Sequence, residues 1–432
     1  MKIKALALAI LATTFYMMSC SATKSTTEST TSKIALTDDH EVEKTLKMGE
    51  INGIRSELVV EIHYMQGSNS SVKVRTTQKT LERTDLSMNG STLVIKQKHN
   101  TEEDFRMDKI TFYITSPKLN SLNNSGHMEF ISDQMRTNNL QINNSGICSI
   151  EMNGTHDKGD NGLSIDNSGR LTVKVPMIDT KLLSLDNTGI LTLENKDITG
   201  GLSLVNSGRL DFSGNIKGQG AEVYNDGICS MTSTLNLTGS YSCNNKGRLE
   251  MTGNVKGTTA ELYNSGICTM TSALDLTDSY SCDNKGRLEM TGDVKGTTAD
   301  LYNSGVCKMN GSFMLQGDYS YKNGGRANNN GDVTARAITI STSGVDNRTG
   351  NLKADKLSMS VNGRSEYDMS FNGGDVKLNC SGIGQFKLAL NCQSLNVYSS
   401  GRINVVLSGT ADKTSFDSTG VSNVNTSRLN KF

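Results

Sequence analysis

The chain has 432 residues, with 44 Lys plus Arg against 44 Asp plus Glu, 42 Gly, two Pro and no Trp. A balanced charge without a basic block gives no footing for nucleic-acid binding, which needs clustered cations against phosphates. The glycine excess over proline points to many turns of permissive backbone and away from collagen or a Pro-rich linker.

Lys2 and Lys4 precede an apolar run of 14 residues over 5–18. A spanning helix needs about 20 residues, so residues 1–19 suit a secretory signal peptide. The run ends in Met17-Met18-Ser19-Cys20, which resembles the lipobox of bacterial lipoproteins. That resemblance implies lipidation of Cys20 and a membrane partner held through the N-terminal lipid. Residues 20–48 then form a tether. Residues 21–33 are Ser/Thr-rich with too little apolar surface to fold, and residues 38–47 are expected to add a short helix. Ser21, in place of Asp, favours sorting to the outer membrane. Ser21-Ala22-Thr23-Lys24 lacks an acidic cluster, which leaves open the membrane face to which the protein is directed.

Residues 49–117 read as an N-terminal β cap with the first coils. Strand patterns occupy residues 58–64, 71–76, 93–98 and 110–115, with turns at Gly67-Ser68-Asn69 and Met88-Asn89-Gly90. A stack of strands exposes unpaired backbone at its end and needs such a cap.

From residue 120 the chain returns to Asn-Ser-Gly or a close variant. Sixteen marker glycines run from Gly126 to Gly420, and all intervals but one of 23 residues are 19 or 20. Apolar residues alternate around each marker, as Leu202, Leu204, Leu210 and Phe212 do around Gly208. A period of two is that of strands, and units this small must stack to bury a face. The expected fold is all-β, a parallel β-helix or β-solenoid of 19–20 residues per rung. Stacked rungs would extend on the order of 75 Å. A two-rung duplication lies on top: residues 215–253 and 254–292 agree at 29 of 39 positions, and 293–331 agree with the second copy at 20 of 39. We divide the solenoid into residues 118–331 and a C-terminal part, 332–432.

Two positions before the marker stand Asn124, Asn144, Asn167, Asn187, Asn206, Asn225, Asn245, Asn264, Asn284, Asn303 and Asn323. A column of amides that bond rung to rung would satisfy its own polar groups, so these read as a structural asparagine ladder. Each marker glycine is expected at positive φ. Past residue 332 the ladder position becomes Thr342, Val361, Cys380, Ser399 and Ser418.

Eight cysteines follow Cys20. Cys229, Cys268 and Cys307 share a column two rungs apart, about 9.6 Å, beyond the roughly 7 Å that a disulfide spans. They read as apolar fillers, as do Cys243 and Cys282, while Cys380 with Cys392 is the one pair worth testing for a bridge. The five histidines lack zinc spacing, so no metal or cofactor is expected. His156-Asp157-Lys158-Gly159-Asp160 reads as an exposed loop in the long interval. No Ser-His-Asp arrangement or carboxylate pair can be placed, so no catalytic residue is assigned. Tyr224, Tyr263 and Tyr302 point outward every second rung, with Ile228, Ile267 and Val306 beyond the turn. This stripe is a candidate surface for a glycan or protein ligand. The plainer reading is that duplication copied one tyrosine. Arg248 with Glu250 and Arg287 with Glu289 read as mixed-charge solvated surface.

Ile51-Asn52-Gly53-Ile54, Val59-Val60-Glu61-Ile62, Gly67, Ser71-Val72-Lys73-Val74 and Leu93-Val94-Ile95-Lys96 resemble the opening of the head GIN domain family of Bacteroidetes. Leu357-Ser358-Met359-Ser360-Val361-Asn362-Gly363 and Leu395-Asn396-Val397-Tyr398-Ser399-Ser400-Gly401 fit its later pattern. The resemblance covers residues 49–430 and implies a β-helical, adhesin-like envelope protein with no catalytic residues. Together these readings favour a non-enzymatic lipoprotein that binds protein or glycan along an extended surface. A periplasmic scaffold is the rival, and a polysaccharide-degrading β-helix the third reading, by analogy of fold alone.

Overall fold

Short alternating segments such as Tyr241–Asn245 and Arg248–Thr252 bury every second side chain, so each can lie flat on its neighbours only as a strand. The computed structural model describes residues 40–98 and 107–431. The signal peptide, Cys20 and the tether at residues 21–33 lie outside the described residues. The rest is a parallel β-solenoid of about 16 turns and roughly 19 residues per rung. In the duplicated region a rung has three strands, for example Tyr241–Asn245, Arg248–Thr252 and Val255–Gly257. Each pairs in register with the rungs on both sides: Tyr241 lies opposite Ala221 and Ala260, and Arg248 opposite Ile228 and Ile267. The inward columns make one continuous core.

The marker glycines owe their identity to close approach. Positive φ, expected at all of them, occurs only at Gly401 and Gly420. From Gly146 to Gly382, a Cβ on any marker would stand 1.9–2.1 Å from the carbonyl oxygen of the marker one rung before. The hydrogen bonding explains why. The Gly247 carbonyl accepts from Ile267 N at 2.8 Å, and this bond carries the oxygen directly across the face of Gly266. Positive φ belongs to glycines at the following corner, including Gly253, Gly292 and Gly331.

Beside this contact the eleven asparagines form one buried column. Ten consecutive links run from Nδ2 of one to Oδ1 of the next at 2.7–2.8 Å. The Asn225 amide also donates to its own turn, at Gly227 O, and across the rung to Arg248 O. The Nδ2 donors therefore all point toward the C-terminal end, and Asn124 Oδ1 at the cap end has no protein partner.

Strands β1 (Glu41–Leu46), β2 (Gly53–Ser56), β3 (Val59–Gln66) and β4 (Ser71–Thr77) precede helix α1 (Gln78–Arg83). Strands β5 (Thr84–Asn89), β6 (Thr92–Gln97), β7 (Ile110–Ser116), β8 (Ser121–Asn124) and β9 (His127–Thr137) follow. The helix expected over 38–47 is replaced by β1, which pairs antiparallel with β4 and is tied by Arg75 Nη2 to Glu41 Oε2 at 2.9 Å. The first coil in sequence is not the last in space. β2 lies between β6 and β8, and β3 between β7 and β9, all parallel. Antiparallel β5 and β4 then cover β6 and β7. At the other end all three strand segments between one marker turn and the next merge into a single 17-residue strand, as in Val345–Val361 and Arg364–Cys380.

All eight cysteines among the described residues are buried free thiols, Cys380 and Cys392 included. Burial pushes the Cys243 thiol up to about 12, so it stays protonated and inert.

Gly266→Ala is expected to cost about 1–3 kcal/mol through forced separation of the rungs. Asn264→Leu is expected to cost about 1–3 kcal/mol by leaving its neighbours' amide groups unpaired. Denaturant unfolding measures both. Unchanged stability of Gly266→Ala would refute the close-approach account.

Candidate functional site

Each marker turn is a sharp corner, and the residues on either side of it face solvent. Tyr224, Tyr263 and Tyr302 are the last residues but one of the strand before the turn, while Ile228, Ile267 and Val306 begin the strand after it. Tyr263 and Tyr302 are each 46% exposed, whereas Tyr224 is half-buried with Lys246 Nζ 5.1 Å from its ring centroid. The tyrosines are separated in their column by Asn244 and Asp283, so the rings do not stack on each other. Ile228, Ile267 and Val306 are 54%, 49% and 49% exposed and are separated by Arg248 and Arg287. The stripe thus exists as two parallel columns along one corner.

The concave surfaces lie elsewhere. Near the cap, Asn123, Asn143, Asp166 and Asp186 line one wall of a groove of about 670 Å³. Burial, followed by the neighbouring Asp186 charge, raises the Asp166 carboxyl. A second groove near the cap, about 590 Å³, is lined by His63, Tyr113, Met65 and Ile131, with the His63 and Tyr113 rings stacked at 5.0 Å. The third, about 900 Å³, follows the C-terminal part of the marker corner, between Arg326 and Asn423. Among the described residues, no group of three or more His, Cys, Asp or Glu side chains is placed to hold a metal ion.

The insertion around residue 156 corrects the loop reading. His156 and Asp157 close a long strand, Ile147–Asp157, and Asp157 is 3% exposed. Its carboxylate accepts from Thr137 Oγ1 and from the backbone N–H groups of Asn139, Leu140 and Gly159. Burial alone would raise its pKa, but these four donors together hold it below the usual aspartate value. His156 Nδ1 contacts Asp179 on the next rung. The pair and the buried carboxylate shape the turn.

The sequence reading missed a polar knot where the asparagine ladder stops. Asp346 is fully buried and Arg348 nearly so, inside the solenoid. Asp346 accepts from Tyr367 Oη at 2.7 Å, Asn329 Nδ2 at 3.0 Å and Thr342 Oγ1 at 3.3 Å. The Arg348 guanidinium lies 3.9 Å from Asp346, donates to Tyr319 Oη at 3.4 Å and stands 4.5 Å over the Tyr321 ring. Parity was the available signal, because the inward positions of Cys307 and Met309 recur as Asp346 and Arg348 two rungs later.

Residues 51–174 and 366–431 match the family described as "Putative auto-transporter adhesin, head GIN domain". Solved structures similar to this chain include a "putative adhesin" of Bacteroides fragilis, 14% identical, covering 65% of this chain and 97% of that one at TM-score 0.22. Another, from Parabacteroides distasonis, is 12% identical and covers 88% and 98% at TM-score 0.26. A "putative lipid binding protein" from the same species is 11% identical and covers 91% and 96% at TM-score 0.22. No curated protein matches the chain.

Asp346→Leu is expected to destabilise by about 3–5 kcal/mol, because it strands the Arg348 charge in the core. The double change Asp346→Leu/Arg348→Met should recover most of that loss in urea unfolding. Asp157→Ala should lower stability at pH 7. A depressed folded pKa stabilises fully above the unfolded value, so the difference from the parent should shrink as pH falls through the folded pKa, below about 3.9. A difference that persists through acid titration would contradict this role.

Proposed function

From the premise that residues 51–174 and 366–431 are head GIN domain sequence, we propose that the chain is a non-enzymatic envelope lipoprotein that binds ligands along its marker corner. Lipid on Cys20 anchors it to the outer membrane, and the tether carries the solenoid away from the surface. The observation that carries this reading is the corner itself. The marker corner recurs over about sixteen turns, so the outward positions beside it stack in exposed columns, a form suited to long ligands rather than to enclosing a reaction centre. Its partner is a glycan or protein, and the Tyr224, Tyr263 and Tyr302 column with Ile228, Ile267 and Val306 forms one part of that surface.

The family description supports an adhesin-like role at the cell envelope. Protease shaving of intact cells carrying a C-terminal epitope should remove the epitope. Protection in intact cells, with digestion after lysis, would turn the solenoid inward and replace adhesion by a periplasmic scaffold role. Cys20→Ala should abolish incorporation of labelled fatty acid and release the chain from membranes. Replacing the three tyrosines by Ser should weaken adhesion to glycan-coated surfaces without changing the melting temperature. Unchanged adhesion would remove that column from the binding surface.

A further inference from the structure

The first position after each marker carries an alternation that runs far beyond the duplicated rungs. Ile147, Arg170, Ile190 and Arg209 face one another in successive rungs on the cap side. On the far side the same column reads Arg326, Val345, Arg364, Ile383 and Arg402, with Val421 next. All of these arginines are exposed. The tyrosine column behaves differently. Its position reads Asn143, Asp166, Asp186 and Val205 before the duplicated tyrosines and Lys322, Ser341, Ser360, Asn379 and Tyr398 after them. Copying accounts for Tyr224, Tyr263 and Tyr302 but not for the alternation of cation and aliphatic side chain, which holds where other columns have diverged.

Packing explains part of the alternation. Arginines on adjacent rungs would stand about 4.8 Å apart and repel, whereas every second rung spaces them by about 9.6 Å. Packing does not require a cation at all, and a neutral column would avoid the repulsion. Nor are the charges spent on ion pairs, since among the described residues only Arg209 of the column has a carboxylate within 4.0 Å, Asp211 at 3.5 Å.

The arginines are least compensated in the C-terminal groove. Its lining holds Arg326, Arg364 and Arg402 against one carboxylate, Glu366, in a volume of about 900 Å³. Val345 and Ile383 lie between them and Val421 lies beyond Arg402, 38%, 55% and 76% exposed. The parallel column along the same strands reads Asn347, Glu366, Gln385 and Asn404, so its amides are interrupted once, by Glu366 beside Arg364.

We infer that this groove binds a linear acidic polysaccharide bearing one carboxylate on every second ring, laid along the solenoid axis. Each guanidinium takes a carboxylate in a two-pronged pair. The intervening Val or Ile lies beneath the apolar face of the neutral ring, and the amides bond to ring hydroxyls. An extended sugar chain advances about one ring per rung, so the two repeats stay in phase over several units. The inference rests on the reading of the chain as a binding solenoid and deepens it by naming the ligand class.

The test uses the purified chain and hyaluronan oligosaccharides, which carry a carboxylate on every second ring, with poly-glutamate of equal charge and neutral chitin oligosaccharides as comparisons. Hyaluronan is expected to bind more tightly than either, and more tightly as its length grows to span three arginines. Arg326→Gln/Arg364→Gln/Arg402→Gln should weaken it by about tenfold or more at unchanged melting temperature. Arg326→Lys/Arg364→Lys/Arg402→Lys, which keeps charge but not the fork, should restore only part of the affinity. Absence of hyaluronan binding, equal binding of poly-glutamate, or a concentration-dependent dimer that the Gln variant abolishes would each overturn the inference. Because the assay needs no cells, these failures are distinct from failure of surface exposure in the shaving experiment.

Discussion

The carbonyl oxygen of each marker glycine occupies the space that a Cβ of the next marker would need, and the organisation of the solenoid depends on that approach. It brings successive corners close enough for Asn225 to reach Asn245 at 2.8 Å and for Ile267 N to reach Gly247 O at the same distance. Without it the amide column would open and its buried groups would lose partners that water cannot supply. Because the approach recurs at every rung from Gly146 to Gly382, it also locks the register there. A slip of one residue would push a non-glycine residue into the contact and would turn the apolar side chains outward. The amides polarise one another in a single direction along the column.

That device has two ends, and each is handled by different chemistry. At the cap, Ser56 stands opposite Asn124, and the antiparallel strands β4 and β5 cover the two faces. Beyond Asn323 the ladder position turns to Thr342, and the Asp346–Arg348 knot supplies buried polar contacts from the neighbouring columns instead. A buried ion pair is a weak source of net stability but penalises misalignment, since displacement of one partner strands the other. The knot sits where the amide column no longer specifies which rung meets which.

The repeat made much of this readable in advance. Sixteen markers and an inward period of two define the rung, the core columns and the alternation of Cys229, Leu249 and Cys268. The reason for glycine was not readable, because a positive φ and a carbonyl pressed against the Cα demand the same residue and only coordinates separate them. Strand β1 escaped because Glu41 to Leu46 is charged and helix-compatible, and it becomes a strand only where the open edge of β4 offers hydrogen bonds and Arg75 offers a partner for Glu41. The stacking order of the cap is equally invisible, since the enclosure of β2 and β3 by later strands involves contacts distant in sequence. Asp157 lay in a run rich in polar residues, whose burial depends on donors from the rung before. Of the candidate surface, the tyrosine column was plain from the duplication. Arg248 and Arg287 read locally as solvated surface beside Glu250 and Glu289, and the alternation shows only when the whole column is lined up.

The enclosure of the first coil has a mechanical consequence. A pull on the chain from residue 40 meets β1 first, an outer strand held along a single edge, which can be unzipped one hydrogen bond at a time. The load then reaches β2 and β3, each clamped along both edges. Drawing either strand out along its own axis strains the bonds of two ladders together, so resistance rises sharply after the first yield. A tethered fibre under drag would give a few residues of slack and then hold, with the sacrificial strand free to re-pair when the force is released.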